Sequence, residues 1–75
     1  MNKVNYPIKT NGKIINSFEE LERLALNNDA DSMYYYGLCF FYGEGCKKNT
    51  TEAARFFTLS ALSDSKEAFY AEEEY

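Results

Sequence analysis

A chain of 75 residues with a formal charge of −4 makes one small domain, whose core is marginal unless something extends it. Hydrophobic residues at 45% against 27% charged exclude a disordered chain, and the acidic balance argues against direct nucleic-acid binding because it repels phosphate. The aromatic share of 17%, all Tyr and Phe, is more than so small a core absorbs and places some rings at an interface.

The charge is unevenly spread. Lys3, Lys9 and Lys13 lie in the first sixteen residues, whereas Glu19, Glu20, Glu22, Asp29, Asp31 and Glu72–Glu74 make the rest acidic. Met1 to Thr10 contains no apolar run of signal-peptide length, and no later stretch reaches a membrane span, so the expectation is a soluble protein in the reducing cytoplasm, with no membrane contact. Cys39 and Cys46 lack Cys-x-x-Cys spacing, and the chain has no His to complete a metal shell. They read as small buried hydrophobes rather than as a disulfide, and no metal or cofactor is expected.

In chain order, residues 4–15 alternate and carry Thr10-Asn11-Gly12-Lys13, in which Asn-Gly supplies a tight turn between short strands around Pro7–Thr10 and Lys13–Ile15. Ser17 and Glu20 form a capping box that opens a first helix bearing Phe18, Leu21, Leu24 and Ala25 at helical spacing. Asn27-Asn28 ends it, since Asn tolerates the left-handed cap. A second helix runs from about Ala30 to Phe41, and its body, Met33 to Tyr42, is apolar around its whole circumference, so it must be covered on more than one side. Asn49 with Glu52 caps a third helix that runs to about Leu62, and Asp64 with Glu67 suggests a short fourth.

The segment from Asp29 to Asn49, followed by Ala53-Ala54-Arg55-Phe56-Phe57 and Ser60-Ala61, resembles a Sel-one-like repeat of the tetratricopeptide-type helical solenoids. Gly37, Phe40, Gly43, Gly45, Ala53, Phe56, Phe57 and Ala61 match that pattern. Tyr36 stands where the pattern has Leu, Cys46 where it has Val, Asn49 where it has Asp and Ser60 where it has Ala. Residues 18–30 resemble the closing helix of a preceding repeat. Ala68-Phe69-Tyr70 resembles the start of a following one, with Glu72-Glu73 in place of Leu-Gly. The resemblance implies a mostly α fold: one domain over residues 1–75, with a short α-α solenoid of about two helix pairs over 17–73 behind an N-terminal β-hairpin over 4–15.

It also implies scaffolding rather than a reaction. Without His, no Ser-His or Cys-His nucleophile pair exists within the chain, and Gly43-Glu44-Gly45 lacks the flanking strand and lysine-serine ending of a phosphate loop. Two non-catalytic readings remain open. One is an adaptor or assembly module whose partner is another protein, in a homodimer or obligate complex. The other is a small acidic inhibitor of the phage anti-defence (anti-CRISPR-like) type that blocks a nucleic-acid-binding enzyme.

For the first reading the candidate contact residues are Tyr35, Leu38 and Tyr42, spaced i, i+3 and i+7 on one stripe, with Phe41 at its margin. Tyr36, Gly37 and Phe40 are expected to face the core. The competing expectation is that the hairpin or the last helix covers the stripe.

Overall fold

The computed structural model describes residues 4–10 and 12–63. Over these residues a two-stranded antiparallel sheet precedes three helices: β1 (Ile8–Thr10), β2 (Lys13–Ile15), α1 (Phe18–Leu26), α2 (Ala30–Tyr42) and α3 (Thr50–Leu62). The fourth helix expected from Asp64 and Glu67, and the repeat start at Ala68–Tyr70, lie outside the described residues.

Thr10 pairs with Lys13, Lys9 with Ile14 and Ile8 with Ile15, the register of a two-residue turn. The alternation of a strand then buries Ile8, Thr10 and Ile15 and exposes Lys9 and Ile14. A lone hairpin is marginal in water, and this one is fastened at both ends. The Lys13 ammonium donates to the Asp29 carboxylate, and the Val4 amide donates to Glu44 Oε2 at 2.7 Å. Between them the Tyr6 hydroxyl meets Cys39 Sγ at 3.9 Å.

Each helix begins on a side-chain cap. Ser17 Oγ accepts from the Glu20 amide at 3.2 Å, Asp29 Oδ2 from the Ser32 amide at 3.1 Å, and Asn49 Oδ1 from the Glu52 amide at 3.0 Å. These caps satisfy amides that a helix leaves without an internal partner. Asn28, at φ +64°, closes α1 in the left-handed conformation, and three residues later α2 has begun. Gly43, at φ +72°, closes α2, with the Glu44 amide returning to the Cys39 carbonyl at 2.9 Å. The second helix therefore runs one residue past the Phe41 boundary drawn from the sequence.

The α2–α3 pair is antiparallel and fastened along its length. Ser60 Oγ donates to the Ala30 carbonyl at 2.5 Å near one end, and the Asn49 amide donates to the Phe40 carbonyl at 2.9 Å near the other. Ala53, Phe56 and Ser60, at i, i+3 and i+7, are the buried positions of α3. The core gathers Val4, Ile8 and Ile15 from the hairpin side, Leu21 and Ala25 from α1, Met33, Tyr36 and Cys39 from α2, and Phe56 from α3. No helix among the described residues is long and apolar enough to cross a membrane.

Two tests follow from this geometry. A side chain at position 45 must adopt φ +80° and place its Cβ 2.6 Å from Cδ1 of Phe18. We expect Gly45→Val to lower stability by about 1 kcal/mol or more in urea unfolding.

Asp29 holds the start of α2 and the end of the hairpin together. Partial burial works to raise its pKa, but the hydrogen bonds from Lys13 and Ser32 outweigh it and hold the carboxyl below its ordinary 3.8. A depressed carboxylate stabilises above its unfolded pKa, and that contribution disappears as pH falls through the folded value. Asp29→Ala should therefore cost about 1–2 kcal/mol at pH 7. The gap between variant and wild type should close below about pH 4, as read from unfolding curves across pH 2–7.

Candidate functional site

Helical spacing divides the rings of α2 between two faces. Tyr36 turns inward and is buried, with Phe40 half-buried beside it, whereas Phe41 and Tyr42 come out on the opposite side at 40% and 43% exposure. Phe56 and Phe57 of α3 are neighbours about 100° apart on their helix, so Phe56 is buried and Phe57 half-buried on the outer side.

Two separate ring networks result. The inner one centres on Tyr36, whose ring lies 4.8 Å from Phe56, 4.9 Å from Phe40 and 5.8 Å from Phe18, centroid to centroid. The Tyr36 hydroxyl donates to Glu22 Oε2 at 2.7 Å, which gives a buried ring the polar partner it needs. Burial, and then that carboxylate, push the Tyr36 phenol far above its ordinary pKa.

The outer network is a continuous belt. Tyr35 lies 5.3 Å from Tyr34, Tyr34 5.7 Å from Phe57, Phe57 6.4 Å from Phe41, and Phe41 4.9 Å from Tyr42. All five belt residues lack a charge at neutral pH. A groove of about 170 Å³ opens within it, lined by Phe41, Thr50, Ala54 and Phe57.

The four residues singled out by the sequence pattern are thus placed at different depths. Phe41 and Tyr42 are exposed, whereas Tyr35 and Leu38 are half-buried and pack against the core. Tyr36 and Gly37 are buried as expected, and Phe40 packs on the core. The sequence reading missed Tyr34 and Phe57. The signal for Tyr34 was its position one turn before Leu38. The signal for Phe57 was the adjacency of two phenylalanines, which cannot both face inward from one helix.

Four of the described carboxylates are engaged in hydrogen bonds within the fold. Glu22 accepts from Tyr36, Glu44 from Val4, Asp29 from Lys13 and Ser32, and Glu52 from Arg55 at 3.1 Å. Cys39 is buried and Cys46 half-buried, and both are free. Burial pushes the Cys39 thiol up to about 11 against the lowering hydrogen bond from Tyr6, and burial also raises Cys46, so neither supplies much thiolate at neutral pH. A second cleft of about 330 Å³ lies between the lead-in to the hairpin and the α2–α3 loop, lined by Val4, Tyr6, Phe18, Gly43, Glu44 and Gly45. Among the described residues no three His, Cys, Asp or Glu side chains gather in a group able to hold a metal ion. In comparisons with known proteins, no family model, curated protein or solved structure matches the chain.

The two networks should respond differently to truncation. Tyr36→Ala removes the centre of the inner cluster and should cost about 3–5 kcal/mol. Phe41→Ser and Tyr42→Ser should each cost less than about 1 kcal/mol, as exposed substitutions do. Urea unfolding followed by circular dichroism in dilute solution checks both.

Proposed function

We propose that the chain is a non-catalytic protein–protein interaction module, an adaptor or assembly protein, and that the aromatic face of α2 and α3 is its contact surface. The observation that carries this reading is the outer belt of five rings, two of them well exposed, running between two helices. Aromatic surface left in water forgoes the stabilisation its burial provides, and a contiguous patch of it is characteristic of a surface that another protein covers. Aromatic residues also supply most interface hot spots.

The same proposal takes the α2–α3 pair as one Sel-one-like repeat of a short tetratricopeptide-type solenoid. The matched positions have packing roles that suit such a unit. Gly37 lies against the ring of Phe57, Gly43 forms the left-handed cap, and Ala53 and Phe56 are buried between the helices. A cytoplasmic location accords with the two free thiols. Absence of catalysis accords with a chain that has no His and whose described carboxylates largely serve as caps, ion pairs and hydrogen-bond acceptors.

The test compares tagged wild type with the double variant Phe41→Ser/Tyr42→Ser and with Ile14→Ser, a control on the exposed face of the hairpin. Protein retained from a lysate of the native host should be held by wild type and by the control, and lost by the double variant. Each truncation should weaken the purified complex by about 1–3 kcal/mol. Equal retention by all three would remove the belt as the binding surface.

A further inference from the structure

Resting on that reading, we infer that the belt is regulated from within the chain: residues 64–75 fold back across it as a strap that an outside partner must displace. These residues lie outside the described structure, and four observations on the body of the protein and on the sequence select them.

The first is where the chain leaves α3. The helix ends at Leu62 with Ser63 as its cap, and Ser60 is bonded to the carbonyl of Ala30. The chain is therefore released beside the start of α2, less than two turns past Phe57 and at the Tyr34–Tyr35 end of the belt.

The second is reach. From Tyr34 to Tyr42 the belt runs about 12 Å along α2, whereas twelve residues span about 18 Å as a helix and about 40 Å fully extended. A segment released at one end of the belt thus reaches the other in either conformation. Its tether is the end of α3 itself, which holds its effective concentration at the belt on the order of millimolar.

The third is composition. Residues 64–75 hold one apolar run, Ala68-Phe69-Tyr70-Ala71, with Asp64, Lys66 and Glu67 before it and Glu72–Glu74 after it. Residues 1–63 balance seven acids against seven bases, so the whole formal charge of −4 belongs to the last twelve residues. Bases stand at the far end of the belt to meet it. Lys47 and Lys48 are exposed, and among the described residues neither forms an ion pair. Lys48 packs beside the cap of α2, its Cβ 3.2 Å from where a Cβ on Gly43 would lie. A strap laid parallel to α2 sets Phe69 and Tyr70 over the rings and carries the acids toward these lysines.

The fourth is that the belt is already engaged. Tyr34, Tyr35, Tyr42 and Phe57 each take part in a further interaction besides the ring pairs of the belt. So does Asp31, which is buried one turn before Tyr34 and Tyr35 on the same stripe. A buried carboxylate requires a partner, and Lys66, three residues past Ser63, is the one cation of the strap.

The test uses the full-length chain and Nile red, an uncharged dye that brightens on exposed apolar surface. Phe69→Ser/Tyr70→Ser, with helical circular dichroism retained, should raise the emission about threefold over wild type. Adding Phe41→Ser/Tyr42→Ser to that variant should abolish the rise. Glu72→Lys/Glu73→Lys/Glu74→Lys should raise it too, and combining this variant with Lys47→Glu/Lys48→Glu should restore the wild-type level. Each response should be the same from about 1 to about 100 µM, because the strap acts within one chain. In the capture experiment the Phe69→Ser/Tyr70→Ser variant should retain more partner than wild type.

A dye signal that neither the serine pair nor the lysine triple raises overturns the strap, while the interaction reading still rests on the capture experiment. A rise that persists after Phe41 and Tyr42 are truncated overturns the belt as its seat, and a concentration-dependent one overturns its being intramolecular. Equal, nonzero capture by wild type and by a variant with an unmasked belt overturns its regulatory role. No capture by either is the failure of the interaction reading itself.

Discussion

The constraint that organises this molecule is that α2 has no polar face. From Met33 to Tyr42 every residue is apolar, aromatic or glycine, so the helix is stable in water only to the extent that other elements enclose it. Three covers do so: α1 against one flank, α3 against the other, and the hairpin, whose Val4, Ile8 and Ile15 join the same core. Each cover is fastened to α2 or to its ends. Lys13 reaches the cap at Asp29, Val4 reaches Glu44 just beyond Gly43, and Ser60 reaches the carbonyl of Ala30. The caps and the tertiary links therefore share residues, and the ends of α2 are where the local and long-range structure of the chain meet.

Enclosure is incomplete because three short covers do not reach round a helix of thirteen residues. The inner sector is closed by an aromatic cluster in which Tyr36 contacts rings contributed by α1 and α3 as well as Phe40 of its own helix. A Leu there, as the repeat pattern has, would fill space without a polar end. The phenol adds a hydrogen bond to Glu22, which ties α1 to α2 through a charged acceptor, and bonds of that kind are stronger than neutral ones. Glu22 is consequently committed to the fold, as are Asp29 and Glu44. The surplus of acid in the composition overstates the acid available to a basic partner.

Local structure was legible in the sequence wherever one or two residues decide it. Asn11-Gly12 predicts the turn, and the observed pairing of Thr10 with Lys13 is its consequence. Ser17 with Glu20, Asn49 with Glu52, and Asn28 mark helix ends at the positions where they occur. What the pattern did not resolve is the orientation of α2. Periodicity identifies a buried face by contrast with a polar one, and a helix that is apolar all round offers no contrast. Tyr35 and Leu38 could therefore be grouped with Tyr42 by spacing, although the first two lean on the core and the last is exposed. The fastenings of the hairpin were equally hidden, since Lys13–Asp29 and Val4–Glu44 join residues that only the fold brings together.

The two ring networks meet at one point, and that point joins folding to the outer surface. Gly37 lies between them, and a Cβ placed there would sit 2.9 Å from two atoms of the Phe57 ring and 3.2 Å from the Ala53 carbonyl oxygen. The absence of a side chain at 37 lets α3 approach α2 closely enough for Phe56 to reach Tyr36 on the inside. It also fixes how far out Phe57 stands, and Phe57 forms a wall of the outer groove and the link between Tyr34 and Phe41. A larger residue at 37 would have to move either the carbonyl of Ala53, which belongs to the backbone of α3, or the ring of Phe57. Of the two the ring yields more readily, because it is half-exposed and turns about its own side-chain bonds. The first effect of widening this contact would accordingly fall on the aromatic belt, and the inner cluster would be disturbed only after the belt had lost its continuity.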